Sequence, residues 1–355
     1  MFGPNTVAAR RMLKRAAIQS GLEAASLFAR TGLMSGARGS GAIFTLHHVR
    51  PATHKAFDPV AHLSITPDFL DASIARLKAD GHVAVALEDL PEFLANPDRP
   101  GPAMVFTLDD GYRDNNQFAR PVFERHGVPY TIFITGGFVD RTQSIWWETA
   151  ELLLNQIDEF VFDFGGGIET LPTRKPTEKY AAFDRLHKAL ACNEQRPIVE
   201  RLGEQARAAG ICPTGLVDRE VMGEAELREL ADTPLASLGA HTISHPNLAH
   251  LNADDMHLEI SRSAERVAEI IGRAPSTLAY PYGDRCAAGP REYRTAQDLG
   301  FKLAVTTNPG TLKTRNVENL FSLPRISLNG YYQKCRYVGA LASGIPFALT
   351  GSAQG

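Results

Sequence analysis

The chain has 355 residues, 44% hydrophobic and 22% charged, with 37 Lys and Arg against 40 Asp and Glu for a formal net charge of −3. A chain of this length can bury a core without disulfide or metal staples, and it lacks the surplus of basic residues that general nucleic-acid binding needs. Its four cysteines, Cys192, Cys212, Cys286 and Cys335, stand far apart with no C-x-x-C pair and are expected to be reduced, buried thiols.

The first forty residues are unlike the rest. Arg10, Arg11, Lys14, Arg15, Arg30 and Arg38 against Glu23 give this leader a charge of +5, leaving −8 for the remainder. Val7, Met12, Leu13, Ile18, Leu22 and Phe28 are spaced as one face of a helix. Two readings stand: a basic amphipathic helix making peripheral contact with an anionic membrane or a partner, and a helix packed on the main domain with its charges in water. Gln19, Ser20, Gly21 and Glu23 break the apolar run that a signal peptide requires, and no run of about 18 apolar residues could span a bilayer. A cytoplasmic location is the expectation, with the leader bringing the chain to a membrane if the first reading holds.

From residue 42 onward, short apolar runs alternate with helical patterns. Strands are expected at 42–47, 103–108, 130–135, 237–240, 277–280, 303–306 and 321–326, most of them rich in β-branched or aromatic residues. Thr66 and Pro67 open a helix over 69–79 that stops at Gly81, and a longer one spans 254–271, with Ile260, Ala264, Val267 and Ile271 on one face and Gly272 at its end. Strand and helix in alternation imply a parallel α/β sheet, open or closed. The stretch 136–222 breaks the rhythm. It shows strand character only at 160–164 and helical character at 147–157, 179–190 and 198–209, and it reads as a helical insertion forming a lid or cleft wall.

Three segments at strand ends carry chemistry. The strand before Asp109-Asp110-Gly111 ends in two carboxylates and a turn residue, so one carboxylate can bind a metal while its neighbour takes a proton from the attacking water; the same triplet is also an ordinary turn. His241 and His245 stand at i and i+4, a spacing that lets both imidazoles face one ion. Tyr280-Pro281-Tyr282-Gly283 closes an aromatic strand in a turn whose backbone N–H groups, that of Tyr282 above all, can meet an oxyanion; the alternative is a turn whose tyrosines simply pack on the rim.

In this order the three segments resemble the NodB-homology polysaccharide deacetylases, carbohydrate esterase family four. The likeness runs from about residue 42 to 326 and includes Pro67-Asp68-Phe69-Leu70 and Leu323-Pro324-Arg325-Ile326. It implies a distorted (β/α)7 barrel over 41–345, flanked by the leader (1–40) and a tail (346–355), and hydrolysis of acetyl groups on sugars with a divalent metal. By the resemblance Asp109 is the general base, and Asp110, His241 and His245 hold the metal. Zinc is the expected ion, with Co2+, Ni2+ and Fe2+ suited to the same ligands.

Two departures from the family pattern matter. The arginine that orients the base in well-known members stands two residues before the proline of the third segment, where this chain has Ala279; Arg285 and Arg325 are candidates to replace it. No histidine follows His257 to serve as a late general acid. The end of the first strand, Thr45-Leu46-His47-His48-Val49, is similar to the Tyr-His-x-Val/Ile of members with an early acid histidine. His48 is therefore assigned as the acid, with His47 as runner-up. Trp147, beside Trp146 and Glu148, and with Tyr280 and His47, is expected to contact substrate, although a core role is the commoner fate of a tryptophan. The expected reaction is removal of N-acetyl groups from an amino-sugar polysaccharide or oligosaccharide. Action on a lipid-linked sugar, by deacetylation or deformylation, and a catalytically silent carbohydrate-binding module are the alternatives.

Overall fold

A computed structural model describes residues 4–31 and 34–349 of the chain. Among the described residues, seven strands form one parallel sheet: β1 (Gly41–Leu46), β2 (Ala103–Leu108), β3 (Tyr130–Ile134), β4 (Ala236–Ala240), β5 (Thr277–Ala279), β6 (Leu303–Val305) and β7 (Ile326–Ser327), in the spatial order β6-β5-β4-β3-β2-β1-β7. A short strand, Val83–Ala84, adds to β2 from the side. β1, β2 and β3 are buried along their whole lengths, as parallel strands covered on both faces should be.

The sheet curls into a distorted (β/α) barrel, and its seam is the irregular part. Leu323 bridges Val305 of β6, with Thr306 N donating to Leu323 O at 2.9 Å, and three residues later Ile326 pairs with Phe44 of β1. The last strand is thus shorter and later than the expected 321–326. Leu320–Ser322 turns as a 3-10 helix, and Pro324, with no N–H to give a ladder, marks the crossing from one edge to the other. Arg325 sits at that crossing with its side chain fully buried.

The helices follow their caps. Thr66 Oγ1 accepts from Phe69 N at 3.2 Å to open the helix Pro67–Ala79. The long outer helix Ala253–Ile271 is capped by Asn252 and ended by Gly272 at φ 73°, and it buries Met256, Ile260, Val267 and Ile270 along one stripe. Each such side chain is worth about 1.5–3 kcal/mol when fully buried.

The insertion has its own core. α2 (Trp146–Gln156), α3 (Pro176–Cys192), Gln195–Ala208 and Pro213–Glu220 pack around Phe160, Phe162, Phe164, Leu186 and Leu202. The strand at Glu159–Asp163 pairs antiparallel with Ile168–Pro172, a hairpin whose second strand alternates too weakly to read from sequence. The insertion returns to the barrel at Met222, whose N–H donates to Gly111 O at 3.0 Å.

The leader is a helix, α1 (Pro4–Arg30), packed against α3 and Cys335–Ala342. Leu22 and Ala25 are buried, and Glu23 takes Arg336 at 2.6 Å. The face turned away is apolar, with Met12 72%, Leu13 71%, Leu27 63% and Phe28 48% exposed. The side chains of Val7, Arg10 and Arg30, Gly32 and the tail residues 350–355 lie outside the described residues.

Two expectations need correction. The cysteines are unpaired, but Cys192, Cys212 and Cys286 are exposed rather than buried, since each sits at a helix end or in a turn. The boundary drawn at 345/346 falls at the start of a helix, Ile345–Leu349, that buries Ile345 and Phe347.

Candidate active site

Register brings the first pieces together. β1 and β2 align Leu46 with Leu108, and Asp109 N donates to Leu46 O at 3.0 Å, so His47 and Asp109 leave the sheet at one level. Asp110 and Gly111 both take positive φ, 72° each, which turns the chain sharply enough for both carboxylates to face the barrel mouth. Asp110, Thr242, His245 and Tyr282 are four of the six non-glycine residues at positive φ among the described residues. Strained backbone is concentrated at this one place, as it is where structure is held for function.

Asp109 is gripped by Arg325. Both guanidinium nitrogens reach the carboxylate, NH1 to Oδ1 and NH2 to Oδ2, each at 2.7 Å, while NH1 also meets Thr107 Oγ1 at 3.1 Å and Nε donates to Thr306 O at 2.9 Å. Burial disfavours the charged carboxylate, but the Arg325 charge beside it outweighs burial and holds Asp109 well below the usual carboxylate range. The cation missing at Ala279 is thus supplied from the barrel seam; Arg285 plays no part in this pair.

Asp110 has the opposite character. Its Oδ1 lies 3.7 Å from His241 Nε2 and 3.5 Å from His245 Nε2, and no donor among the described residues reaches that buried oxygen. Burial, reinforced by the charge of Asp109, pushes the Asp110 carboxyl well above its ordinary value. Burial also lowers both imidazoles, His245 far more, with the neighbouring His241 adding to it there. Three ligand atoms within 4.8 Å of one another, one of them an unsatisfied buried oxygen, form a donor set of the kind that a cation satisfies. The residues fit a divalent metal. His241 Nδ1 donates to Ala279 O at 2.7 Å, which leaves Nε2 bare toward Asp110.

The two histidines stand on a loop, not on the helical turn their spacing would allow. Thr242 at φ 62° and His245 at φ 56° shape it. Glu259 of the outer helix fixes it from behind, accepting from Ile243 N and Ser244 N at 2.9 Å each and from Ser244 Oγ at 2.6 Å. Glu259 carries no signal in the sequence beyond its place on a helix.

His47 and His48 point opposite ways, as neighbours on a strand end do. His47, partly exposed, faces Asp109 with Nε2 4.0 Å from Oδ2. Burial, offset in part by Asp109, lowers its pKa to about 3. His48 is 0% exposed, with Nδ1 2.6 Å from Asp114 Oδ2 and Nε2 3.2 Å from Glu148 Oε1. Burial opposes its charge, but Asp114 and Glu148 together lift it to about 9. The expected acid thus has both nitrogens occupied and no open face, because it turns away from the mouth and bonds α2 to the barrel. Asn115 Nδ2 donates to His47 O at 2.7 Å, and Val49 N to Asp114 Oδ1 at 3.2 Å, fixing the strand end that bears His47.

The aromatic residues wall the site. Trp147, 5% exposed, lies 5.1 Å from the His245 ring and donates to Tyr112 OH at 3.0 Å. Trp146 donates to Tyr282 OH at 3.0 Å, and the Tyr282 ring lies 5.1 Å from His245. Trp147 therefore supports a candidate metal ligand instead of offering an open stacking platform. Tyr280 is 0% exposed, packs on Tyr293 and donates to Phe321 O at 3.1 Å, a core residue with no face for substrate. The Tyr282 N–H has no acceptor among the described residues.

Comparison with known proteins agrees with this geometry. Residues 193–304 match the model described as polysaccharide deacetylase. A stretch of 47 residues is 40% identical to the peptidoglycan-N-acetylglucosamine deacetylase of Bacillus cereus, covering 13% of this chain and only 17% of that relative. The fold is similar to that of a Streptococcus pyogenes deacetylase, PplD, solved with acetate, at TM-score 0.52 and 17% identity over 81% of this chain and 92% of that one. It is also similar to that of IcaB from Ammonifex degensii, at TM-score 0.50 and 15% identity over 86% and 98%. The matched segment contains His241, His245 and Tyr282, so it is in this part of the chain that the sequence is similar to the polysaccharide deacetylases.

Proposed function

We propose that the chain is a metal-dependent hydrolase that removes N-acetyl groups from an amino-sugar polysaccharide or oligosaccharide. The observation that carries this reading is the pairing of two unlike carboxylates at one strand end: Asp109 held ionised by Arg325, and Asp110 left unsatisfied before two imidazoles. A binding module has no use for an oriented base. A divalent cation held by Asp110, His241 and His245, zinc by the softness of its ligands, would acidify water toward a pKa of about 7 and polarise the acetyl carbonyl.

The rest falls to the chain's own groups. Asp109, fixed by the Arg325 fork, takes the proton of the attacking water. The Tyr282 N–H, in its left-handed turn, is the donor suited to the developing oxyanion. His47, the imidazole that faces Asp109, returns a proton to the departing amine; His48 is spoken for by its two carboxylates. Neutral at rest, His47 becomes an acid by receiving the proton that Asp109 has collected, so the pair recycles it. Trp147 and Phe138 against the His245 ring keep water from the ligand set.

Acetate release from N-acetylated chito-oligosaccharides, with and without chelator, tests the reading. Release abolished by chelator and restored by Zn2+ is expected; no release from any N-acetylated glycan at full metal occupancy would overturn it. A second reading, action on a lipid-linked sugar at the cytoplasmic face of a membrane, is favoured by the outward apolar stripe of α1. Co-sedimentation with anionic liposomes, compared with a chain in which Met12, Leu13, Leu27 and Phe28 are changed to Ser, decides it: equal behaviour removes the reading.

A further inference from the structure

A second polar cluster lies where α1, α3 and two barrel loops meet. Arg15 of α1 stacks over the Tyr331 ring at 3.6 Å, and Arg11, one helical turn earlier, over Tyr180 at 4.7 Å. His62, in the turn Ala61–Leu63, lies 6.1 Å from Tyr331. The two turns are locked together, since a Cβ on Gly330 would overlap Ala61 O and Ser64 O. His187 of α3 completes the group, 6.1 Å from Trp146, the same indole that holds Tyr282 OH.

The charges do not cancel. Arg11 is taken by Asp184, with Nε 3.2 Å from Oδ2, and Asp58, whose main chain bonds Tyr180 OH, is near enough for its charge to act on both Lys55 and Tyr331. Arg15 has no carboxylate at ion-pair distance among the described residues. Burial first, and then the nearby His187, Arg11 and Arg15, lower His62 to about 4, which leaves a neutral imidazole beside the Tyr331 ring that carries Arg15.

We propose that Arg15, with Arg11, His62 and His187, forms a subsite for an anionic group, phosphate or carboxylate, carried by the glycan beyond the sugar that is deacetylated. The inference rests on the deacetylase reading only for the words "beyond the sugar". A planar guanidinium presents paired donors that fit an oxyanion, and the imidazoles add further donors. Tyr332, packed on Tyr331, adds a ring for sugar carbons. An incoming anion would also give Arg15 the counter-charge it lacks among the described residues.

The test is titration of the full chain with glucose 1-phosphate and, separately, with glucuronate, which distinguishes the two sources of charge. One of them is expected to bind. Arg15→Gln should weaken that binding roughly tenfold or more, the loss of one charge-assisted contact, with Arg15→Lys falling between. His241→Ala should leave it unchanged, so the subsite is read even if no glycan is deacetylated. On turnover, Arg15→Gln should raise KM for a phosphorylated or uronate-bearing N-acetyl glycan, leave kcat alone and spare neutral N-acetylchitotetraose. Binding of neither anion, or equal binding by wild type and Arg15→Gln with unchanged thermal unfolding, would overturn the proposal.

Discussion

Replacing Arg325 by Met removes the charge while keeping much of the volume, and it strips Asp109 of both its short contacts at once. Asp109 would then be a buried carboxylate left with the weaker company of His241 and of His47, the latter at 4.0 Å. Breaking a buried pair by deleting one partner costs about 3–5 kcal/mol, because the other charge stays behind unsatisfied. The loss must depend on pH. In the wild type the Asp109 carboxyl is depressed in the fold, so its contribution is present above the unfolded value of 3.8 and fades as pH falls below it. In the variant, burial is opposed only by His241 and His47 and raises the carboxyl, so the folded state gains a proton and recovers stability as pH falls toward 4. The stability gap between the two proteins should therefore be widest near neutrality and narrow on the acid side. Urea unfolding of both proteins from pH 4 to 8, with the acid limb of the rate profile for acetate release, measures it. The limb should move to higher pH by about one unit for each 1.36 kcal/mol of lost charge stabilisation. A gap below about 1 kcal/mol at pH 7, or one that widens on acidification, would refute the reasoning.

Substitution of the metal-site residues should separate holding from turnover. Asp110→Asn and His241→Ala are expected to lose bound metal and activity together, whereas Asp109→Asn keeps metal, by elemental analysis, and loses acetate release. His47→Ala should cut kcat by roughly 10²–10⁴ without changing unfolding, the reach of a general acid; His48→Ala should instead destabilise, and an undiminished rate in His47→Ala would move the acid elsewhere. Because His48 is raised in the fold to about 9, its contribution to stability is complete below the unfolded value of 6.5 and is lost as pH climbs toward 9, on the order of 3 kcal/mol, visible in denaturant midpoints and absent from His48→Ala. Glu259→Gln should weaken metal affinity about 10–100-fold by loosening the loop behind His241 and His245, measured by competition with a chromogenic chelator.

Much of this was legible in the sequence because the signals were local. Apolar runs ending at turn residues located six of the seven barrel strands and only the edge of the last, and Thr66 and Gly272 marked helix ends that the structure keeps. Asp109, Asp110, His241 and His245 were named from motif order, and the fold gathers them at one mouth. What failed was direction. His47 and His48 are adjacent, and only the pleat decides which faces the site; counted back from Val49, the Tyr-His-x-Val spacing itself falls on His47. Tyr280 and Tyr282 differ likewise, one turned into the core and one toward His245. Arg325 could be named as a candidate and no more, since its partner lies 216 positions away and the pairing depends on how the barrel closes. Glu259 and Asn115 were invisible for the same reason.

The seam has a consequence for when the protein becomes competent. Asp109 is synthesised early, but the guanidinium that orders it arrives only with the crossing segment between β6 and β7, near the end of the chain. A nascent or partly unfolded chain can gather Asp110, His241 and His245 and still lack an oriented base. The segment that carries Arg325 to Asp109 is also the one that joins the two edges of the sheet, so the order of that carboxylate and the closure of the barrel depend on the same few residues.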